Sequence, residues 1–519
     1  MQYANLLSKT LTDNANKIVL CQLINSKTNA FLELTGAELD LRAREFAANL
    51  IAAAPKERTV VTLMDEGIEF GVVLVGCIYA GVTVVPTPIP KKAGKSLDRI
   101  TSILSDCKSG MLLTNSKYES LLKSNKKLSE YCIHTYEGLQ QTKNERLVMF
   151  RPHENDIAVI QYSSGSTSSP KGAKITCANI LANRNDLSEP WNMTEGRSIL
   201  LWLPNYHDMG LFAILHSLSL GMRVDIMSPF DFVKKPTKWI ELISERKINV
   251  SGGPAFAYSM VTASTDLSTL KELDLSHWDV AFCGADYVPI HILEDFELKL
   301  DNVSFPRGRL FSCYGMAEAT VLAAGQPIPS GREAERKSKY KDLAACYLGP
   351  SFKPKVAIFN DEGAPVLNGC EGEICLQGDN ITKGYVSSER AEIKHNGTTW
   401  FRTADLGIID GDWLTITGRK KDLVKIRGIG IYSIDLGIHA EKVNASLNAN
   451  ACLFENNREE EQVFSIETYG KILNTDSAQA EALLKAELNE CFGLCLSSVN
   501  ILPRGAIART TSGKIQRWR

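Results

Sequence analysis

The stretch QYSSGSTSSPKGAKIT, Gln161 to Thr176, follows directly on the apolar run DIAVI, Asp156 to Ile160. Ile157 to Ile160 predicts a strand, so the polar segment reads as a loop at that strand's end. Gly165 and Gly172 permit backbone angles that other residues resist. Successive exposed N–H groups, with the hydroxyls of Ser163, Ser164, Ser166 and Thr167, suit the oxygens of an anion. Lys171 adds a point charge, and a polyphosphate is the guest such a loop fits. The spacing is not that of a Walker A loop, which needs Gly-Lys-Ser/Thr where this chain has Pro170-Lys171-Gly172. Taken alone, the loop serves equally well as a solvated connection.

Outward from this loop the chain keeps one rhythm. Short apolar runs (RTVVTLM, GVTVVPT, SGMLLTN, RSILLWLP, RVDIMS, INVSGG, WDVAFCGA) alternate with segments long enough for helices, such as LTGAELDLRAREFAANLIAAA. The pattern predicts α/β layers with largely parallel sheet. Several runs end in small or polar residues, as expected where open α/β sheets bind ligands at strand C-termini. From about Gly349 the texture turns to short strands split by Gly, Asp and Asn, predicting a β-rich subdomain over residues 349–420. A third unit, 421–519, mixes strands with a helix in DSAQAEALLKAELNECFG. The charged stretch SGREAERKSKYKD, Ser330 to Asp342, reads as an exposed insertion or loop. No fixed-period repeat or low-complexity tract interrupts this plan.

The chain has 519 residues, 44% apolar and 23% charged, and a formal net charge of −2. That balance suits a globular protein with several cores and argues against nucleic-acid binding through global positive charge. The 13 cysteines include no CxxC pair, so reduced buried thiols in a cytoplasmic protein are expected rather than a zinc site. FGVVLVGCIYAGVTVV, Phe70 to Val85, is 16 residues long and broken by Gly81. A membrane span needs about 20 residues, so this run predicts a buried helix ending near Gly81 and then a buried strand.

Several segments, in one order along the chain, resemble the adenylate-forming enzymes: acyl-CoA synthetases, nonribosomal-peptide adenylation domains and luciferases. YSSGSTSSPKG resembles their phosphate loop, and SCYGMAEAT (Ser312 to Thr320) their aromatic-Gly-x-x-Glu segment. GYV at Gly384 and FRTADLG at Phe401 resemble the ribose-binding region. ITGRKKDLVKIRG resembles the hinge and RTTSGKIQR (Arg509 to Arg517) the terminal lysine loop. The resemblance implies an α/β fold with a large N-terminal AMP-binding domain, 1–420, and a small mobile α+β lid domain, 421–519.

It also implies a reaction in which a carboxylate attacks the α-phosphorus of ATP, giving acyl-AMP and pyrophosphate, with Mg²⁺ bridging phosphate oxygens. By the same resemblance Lys514 and His207 are catalytic. Ser163, Ser164, Gly165, Ser166, Thr167 and Lys171 bind the phosphates. Gly284, Ala285 and Asp286 form the adenine-side turn, and Tyr314 stacks on adenine within Cys313, Gly315, Met316 and Ala317. Asp405 accepts the ribose hydroxyls with Arg419 beside it. Glu318 and Thr167 serve the metal, and Lys421 is the hinge.

IQYSSGSTSSPKG, LWLPNYHDMGL, SGGPAFAYSM, DVAFCGADYV and CYGMAEAT look specifically like fatty acyl-AMP ligases. That branch implies a fatty acid as substrate and the phosphopantetheine thiol of a separate acyl carrier protein as acceptor. The basic KSNKK at Lys123 suits an acidic carrier surface and equally a solvated face. An acyl-CoA ligase, an adenylation enzyme for an amino or aryl acid, and a non-catalytic acyl- or nucleotide-binding protein are the alternatives. The interval from Thr320 to Gly349 looks shorter than the insertion usual in the branch. Four positions depart from the family pattern: Ser168 and Ala404 where glycine is common, Val386 where an aromatic is frequent, and Gly437 where glutamate is typical. Ser168 and Ala404 are expected to narrow the nucleotide site, and Gly437 to bear on the second half-reaction.

Overall fold

The computed structural model describes residues 2–90, 95–141, 153–162, 170–264, 272–426, 429–456, 461–469, 477–509 and 515. Two parallel-rich sheets build the first part of the chain. One runs in the order Cys132–Thr135, Met111–Thr114, Thr59–Leu63, Thr83–Pro86, Ile157–Tyr162, Gly172–Thr176. Its strands are parallel except for the last pair, where Tyr162 lies opposite Gly172 across an antiparallel ladder. The other runs Leu310–Ser312, Val280–Cys283, Val250–Gly253, Ser198–Leu201, Arg223–Ile226, Ile18–Asn25, Ala30–Thr35. The first strand of the chain thus joins the second sheet, pairing in parallel with Arg223–Ile226 some two hundred residues later.

The apolar run at Phe70 forms the helix Ile68–Ala80, in which every residue but Glu69 is buried. A helix apolar on all faces belongs inside a core rather than on a surface. It ends at Gly81, whose φ of 64° lies in the left-handed region that glycine adopts without penalty. The strand Thr83–Pro86 follows. Among the described residues no helix is long and apolar enough to cross a membrane.

The β-rich subdomain is an antiparallel sheet ordered Cys346–Tyr347, Trp413–Arg419, Thr398–Asp410, Glu371–Leu376, Val356–Phe359, with Glu392–His395 flanking Thr398–Asp410. Beyond it the hairpin Leu423–Ile426/Ile429–Tyr432 leads into the helix Ser433–Val443. A three-stranded sheet (Leu447–Asn456, Gln462–Thr468, Leu496–Leu502) and the helix Ser477–Phe492 complete this last unit.

The charged stretch Ser330 to Asp342 is largely exposed, as expected, but several of its charges are engaged. Arg336 is buried and pairs with Glu297. Lys341 Nζ reaches both carboxylate oxygens of Asp435 at 2.8 Å, and Asp342 pairs with Lys442. Leu343, at the end of the stretch, shares an apolar cluster with Leu406, Tyr432, Ile434 and Ile438. Charge composition indicates solvation on average, but it does not reveal partners supplied a hundred residues away. The stretch is a strap between the last unit and the rest of the molecule.

Candidate functional site

One cavity of about 570 Å³ opens where the two sheets, the β-rich subdomain and the last unit converge. Its polar end is built by segments that leave parallel strands at their C-termini, where an open α/β sheet exposes backbone and loop groups. Ala285 and Asp286 follow the strand Val280–Cys283. Cys313 to Ala317 follow Leu310–Ser312. His207 follows Ser198–Leu201 and precedes the helix Asp208–Ser219.

The segment carrying His207 is pinned from two sides. Asn205 Nδ2 donates to the Met64 and Asp65 carbonyls at the edge of the first sheet, and Gln161 Nε2 donates to the Tyr206 carbonyl at 2.8 Å. His207 Nδ1 then lies 2.6 Å from Asp208 Oδ1.

Tyr314 donates its hydroxyl to Asp405 Oδ2 at 2.6 Å, and Arg419 Nε lies 3.2 Å from Asp405 Oδ1. Asp405 and Arg419 face each other in register across the antiparallel strands Thr398–Asp410 and Trp413–Arg419. The sheet therefore sets their spacing. The Asp405 charge raises the pKa of Arg419, while burial, with Asp405 beside it, raises that of the Tyr314 phenol.

Glu318 accepts a hydrogen bond from the Tyr385 hydroxyl at 2.7 Å. Burial raises its pKa, and the neighbouring charges of Asp208 and Asp405 add to that. Lys171 Nζ sits 5.6 Å from the centre of the Tyr385 ring. The Glu318 carboxylate is the kind of oxygen ligand a hard divalent cation such as Mg²⁺ takes, though among the described residues it does not come within 4.8 Å of two further His, Cys, Asp or Glu ligand atoms that could share one ion.

Of the expected site residues, Lys171, His207, Ala285, Asp286, Cys313, Tyr314, Gly315, Met316, Ala317, Glu318, Asp405, Arg419 and Lys421 all line this one cavity. Gly284 lies just behind its wall, where an added Cβ would come within 2.6 Å of the Cys313 carbonyl oxygen. Ser163, Ser164, Gly165, Ser166, Thr167 and Lys514 lie outside the described residues, as does Ser168. Ile515, next to Lys514, does line the cavity, and it packs with Ala451, Leu453 and Ile507 of the last unit.

Tyr385 was not singled out from the sequence. GYV was assigned with the ribose region, yet Tyr385 bonds Glu318 and lies beside Lys171. Tertiary backbone exchange between GYV and the strand after the loop brings it there: Lys174 N donates to the Gly384 carbonyl and Val386 N to that of Gly172. Arg99 is a further cavity residue outside every quoted motif, and Arg402 and Asp422 line the cavity from within FRTADLG and ITGRKKDLVKIRG.

The departures at Ala404 and Gly437 acquire physical content. Ala404 lines the cavity with φ of 61°, a left-handed conformation that costs a residue bearing a Cβ. Gly437 has a local packing reason. A Cβ there would sit 2.5 Å from the Ala449 carbonyl oxygen, so glycine lets the helix Ser433–Val443 press onto the strand Leu447–Asn456.

The rest of the cavity is apolar. Leu187, Trp191, Met193, Ile199, Val250 and Phe282 line it. Met209, Ala213 and His216 add a stripe at helical spacing along Asp208–Ser219. The polar part of the cavity thus continues into a greasy arm.

The AMP-binding enzyme family profile matches residues 9–386. With that match, and the site just described, the chain belongs to the AMP-binding enzymes, the class of adenylate-forming ligases. Within the class it is similar to the medium-chain-fatty-acid–[acyl-carrier-protein] ligase JamA of Moorena producens, at 30% identity over 93% of this chain and 88% of that protein. A solved structure from a study of fatty acyl-adenylate ligases of E. coli and L. pneumophila superposes with a TM-score of 0.86 at 26% identity, covering 100% of this chain and 97% of that one. A fatty acyl-adenylate ligase of L. pneumophila in complex with acyl adenylate and pyrophosphate matches at 26% identity and a TM-score of 0.73, covering 98% and 93%.

Proposed function

We propose that the protein condenses a fatty acid with ATP to form acyl-AMP and pyrophosphate, then passes the acyl group to the phosphopantetheine thiol of a separate acyl carrier protein. The observation that carries this reading is the continuity of one cavity from Asp405, Arg419 and Tyr314 to the apolar stripe Met209, Ala213, His216. A carboxylic acid lying in the greasy arm presents its head to whatever the polar end holds.

The residues then take these roles. Asp405, with two acceptor oxygens, meets the ribose hydroxyls, and Arg419 and Tyr314 hold it in place. The segment Cys313 to Ala317 and the turn Gly284 to Asp286 flank the base. Lys171 and the loop Ser163 to Thr167 take the phosphates. His207, oriented by Asp208 at Nδ1, lines the path by which the acid's carboxylate reaches the α-phosphate. One carboxylate oxygen bonds the α-phosphorus while the bond to pyrophosphate breaks, and Lys514 supplies an ammonium to the oxygens that gain charge. Glu318 and Thr167 would hold Mg²⁺, which neutralises phosphate charge when bound. Lys421 is the pivot about which the last unit turns for thiol transfer.

The test is pyrophosphate release across a panel of fatty, aryl and amino acids, followed by mass spectrometry with coenzyme A and with carrier proteins. Release that favours fatty acids, with acyl transfer to a carrier protein, is the expected result. Preference for amino acids, or thioester formation with free coenzyme A alone, overturns the assignment of substrate or acceptor respectively.

A further inference from the structure

Three side chains of the last unit, on the two helices Ser433–Val443 and Ser477–Phe492, converge at its surface. His439 comes from the first helix. Glu487 and Cys491 come from the second, one turn apart and so on one face. His439 Nε2 lies 3.4 Å from Glu487 Oε1, and Cys491 Sγ lies 3.7 Å from the same oxygen. All three ligand atoms fall within 4.8 Å of one another. The Phe492 ring stands at 90° to the His439 ring, centres 5.6 Å apart, and fixes its direction.

The spacings are long for hydrogen bonds. An imidazolium held by a carboxylate closes to about 2.7–2.9 Å, as His207 does against Asp208 at 2.6 Å. They suit the edges of a tetrahedron around one ion. With bonds of about 2.0–2.2 Å to nitrogen and oxygen and about 2.3 Å to sulfur, zinc sets N···O near about 3.3 Å and S···O near about 3.6 Å. The remaining N···S edge is also about 3.6 Å, so that pair has to close by at most about 1.2 Å.

The ligand types select the metal. A mixed imidazole, thiolate and carboxylate set suits zinc, whereas magnesium and calcium take oxygen. The site is open to solvent: the His439 and Glu487 side chains are 26% and 42% exposed, and Cys491 is exposed. An ion can therefore reach every ligand atom, and water can fill the fourth position. No CxxC spacing marks the set, because its ligands come from two helices.

We propose that His439, Glu487 and Cys491 bind one zinc ion that clasps the helix Ser433–Val443 to the helix Ser477–Phe492. On binding, the Cys491 thiol gives its proton to solvent and the sulfur ligates as thiolate. The clasped helix also carries Asp435 and Lys442, which hold the strap at Lys341 and Asp342.

The experiment uses the full chain, reduced and freed of metal, titrated with Co²⁺ as the spectroscopic probe and then with Zn²⁺. One Co²⁺ per chain is expected, with the thiolate-to-cobalt charge-transfer absorption and the ligand-field bands of a four-coordinate ion. Zn²⁺ should displace it and excess Mg²⁺ should not. Cys491→Ser should abolish the charge-transfer absorption. His439→Gln and Glu487→Gln should each weaken zinc binding by about 100-fold or more, at least the cost of disturbing a metal ligand's outer shell. In the wild type, zinc should slow alkylation of Cys491 by iodoacetamide but not that of the exposed Cys132 and Cys370, read by peptide mass spectrometry. No charge-transfer absorption in the wild type overturns the proposal, as does absorption that persists in C491S. Equal alkylation of Cys491 with and without zinc overturns it even if the variants do not fold. Displacement of cobalt by Mg²⁺ overturns the assignment to zinc.

Discussion

The Tyr314 hydroxyl donates to Asp405 Oδ2 at 2.6 Å, joining the segment after one parallel strand to the β-rich subdomain across ninety-one positions of sequence. The contact holds the carboxylate before any ribose arrives. Tyr314→Phe leaves the ring in place but removes a donor from a buried carboxylate, a loss of about 1–3 kcal/mol. The KM for ATP is expected to rise about tenfold, with a smaller change in kcat at saturating ATP. Unchanged ATP affinity would mean that Arg419 alone suffices to hold Asp405.

Glu318 predicts a conflict between stability and function. Its folded-state pKa is raised above the ordinary 4.5, chiefly by burial. The stability it contributes is therefore complete below the ordinary range and is lost as pH rises through the raised value. Glu318→Gln removes that loss, so its melting temperature should exceed the wild type's at neutral pH, with the gap closing toward about pH 4. Adenylation by the same variant should fall by about 10²–10³-fold. Melting curves over a pH series without nucleotide measure the first effect and pyrophosphate release the second.

Ala404 is held at a φ of 61° beside the nucleotide end of the cavity, its N–H donating to Glu373 Oε1 at 3.0 Å. Ala404→Gly relieves the left-handed strain at some cost in unfolded-state entropy, a net gain of about 0.5–1 kcal/mol. Denaturant melts should show a higher midpoint with an unchanged slope. A lower midpoint would show that the backbone is not strained there.

Lys514→Ala is expected to lower acyl-AMP formation by about 10²–10³-fold, the scale of losing one preorganised donor to a transition state. Its neighbour Ile515 lies on the cavity wall. Near-normal pyrophosphate release in this variant would remove Lys514 from the chemistry.

Lys421→Pro stiffens the chain where the β-rich sheet passes into the last unit. Single-turnover assays of the two half-reactions should show acyl-AMP formation retained better than thiol transfer. Equal losses in both would argue against a pivot at this position.

Much of the architecture was legible because it is local. The strand after Arg58, the buried helix ending at Gly81 and the strands before His207 and Gly284 each announce themselves by an apolar run and a break, and each is where expected. The switch to short antiparallel strands near Gly349 was visible for the same reason. Pairing was not legible. Nothing in Ile18–Asn25 indicates that it belongs beside Arg223–Ile226, because a strand's partner depends on which distant edge remains unpaired.

The sequence by itself determined the chemical inventory: a hydroxyl-rich loop after a strand, the carboxylates Glu318 and Asp405, the adjacent His207 and Asp208, and Arg419. Tertiary structure decided which of these meet. It set Tyr385 against Glu318, made a strap of the charged stretch at Ser330, gave Gly437 a packing role, and left His216 Nδ1 buried without a hydrogen-bond partner. The physical reason is range. Propensity, turn chemistry and capping act over a few residues and are written in order along the chain. Hydrogen-bond satisfaction and burial depend on groups that only the packed molecule brings within 3 Å or so of one another.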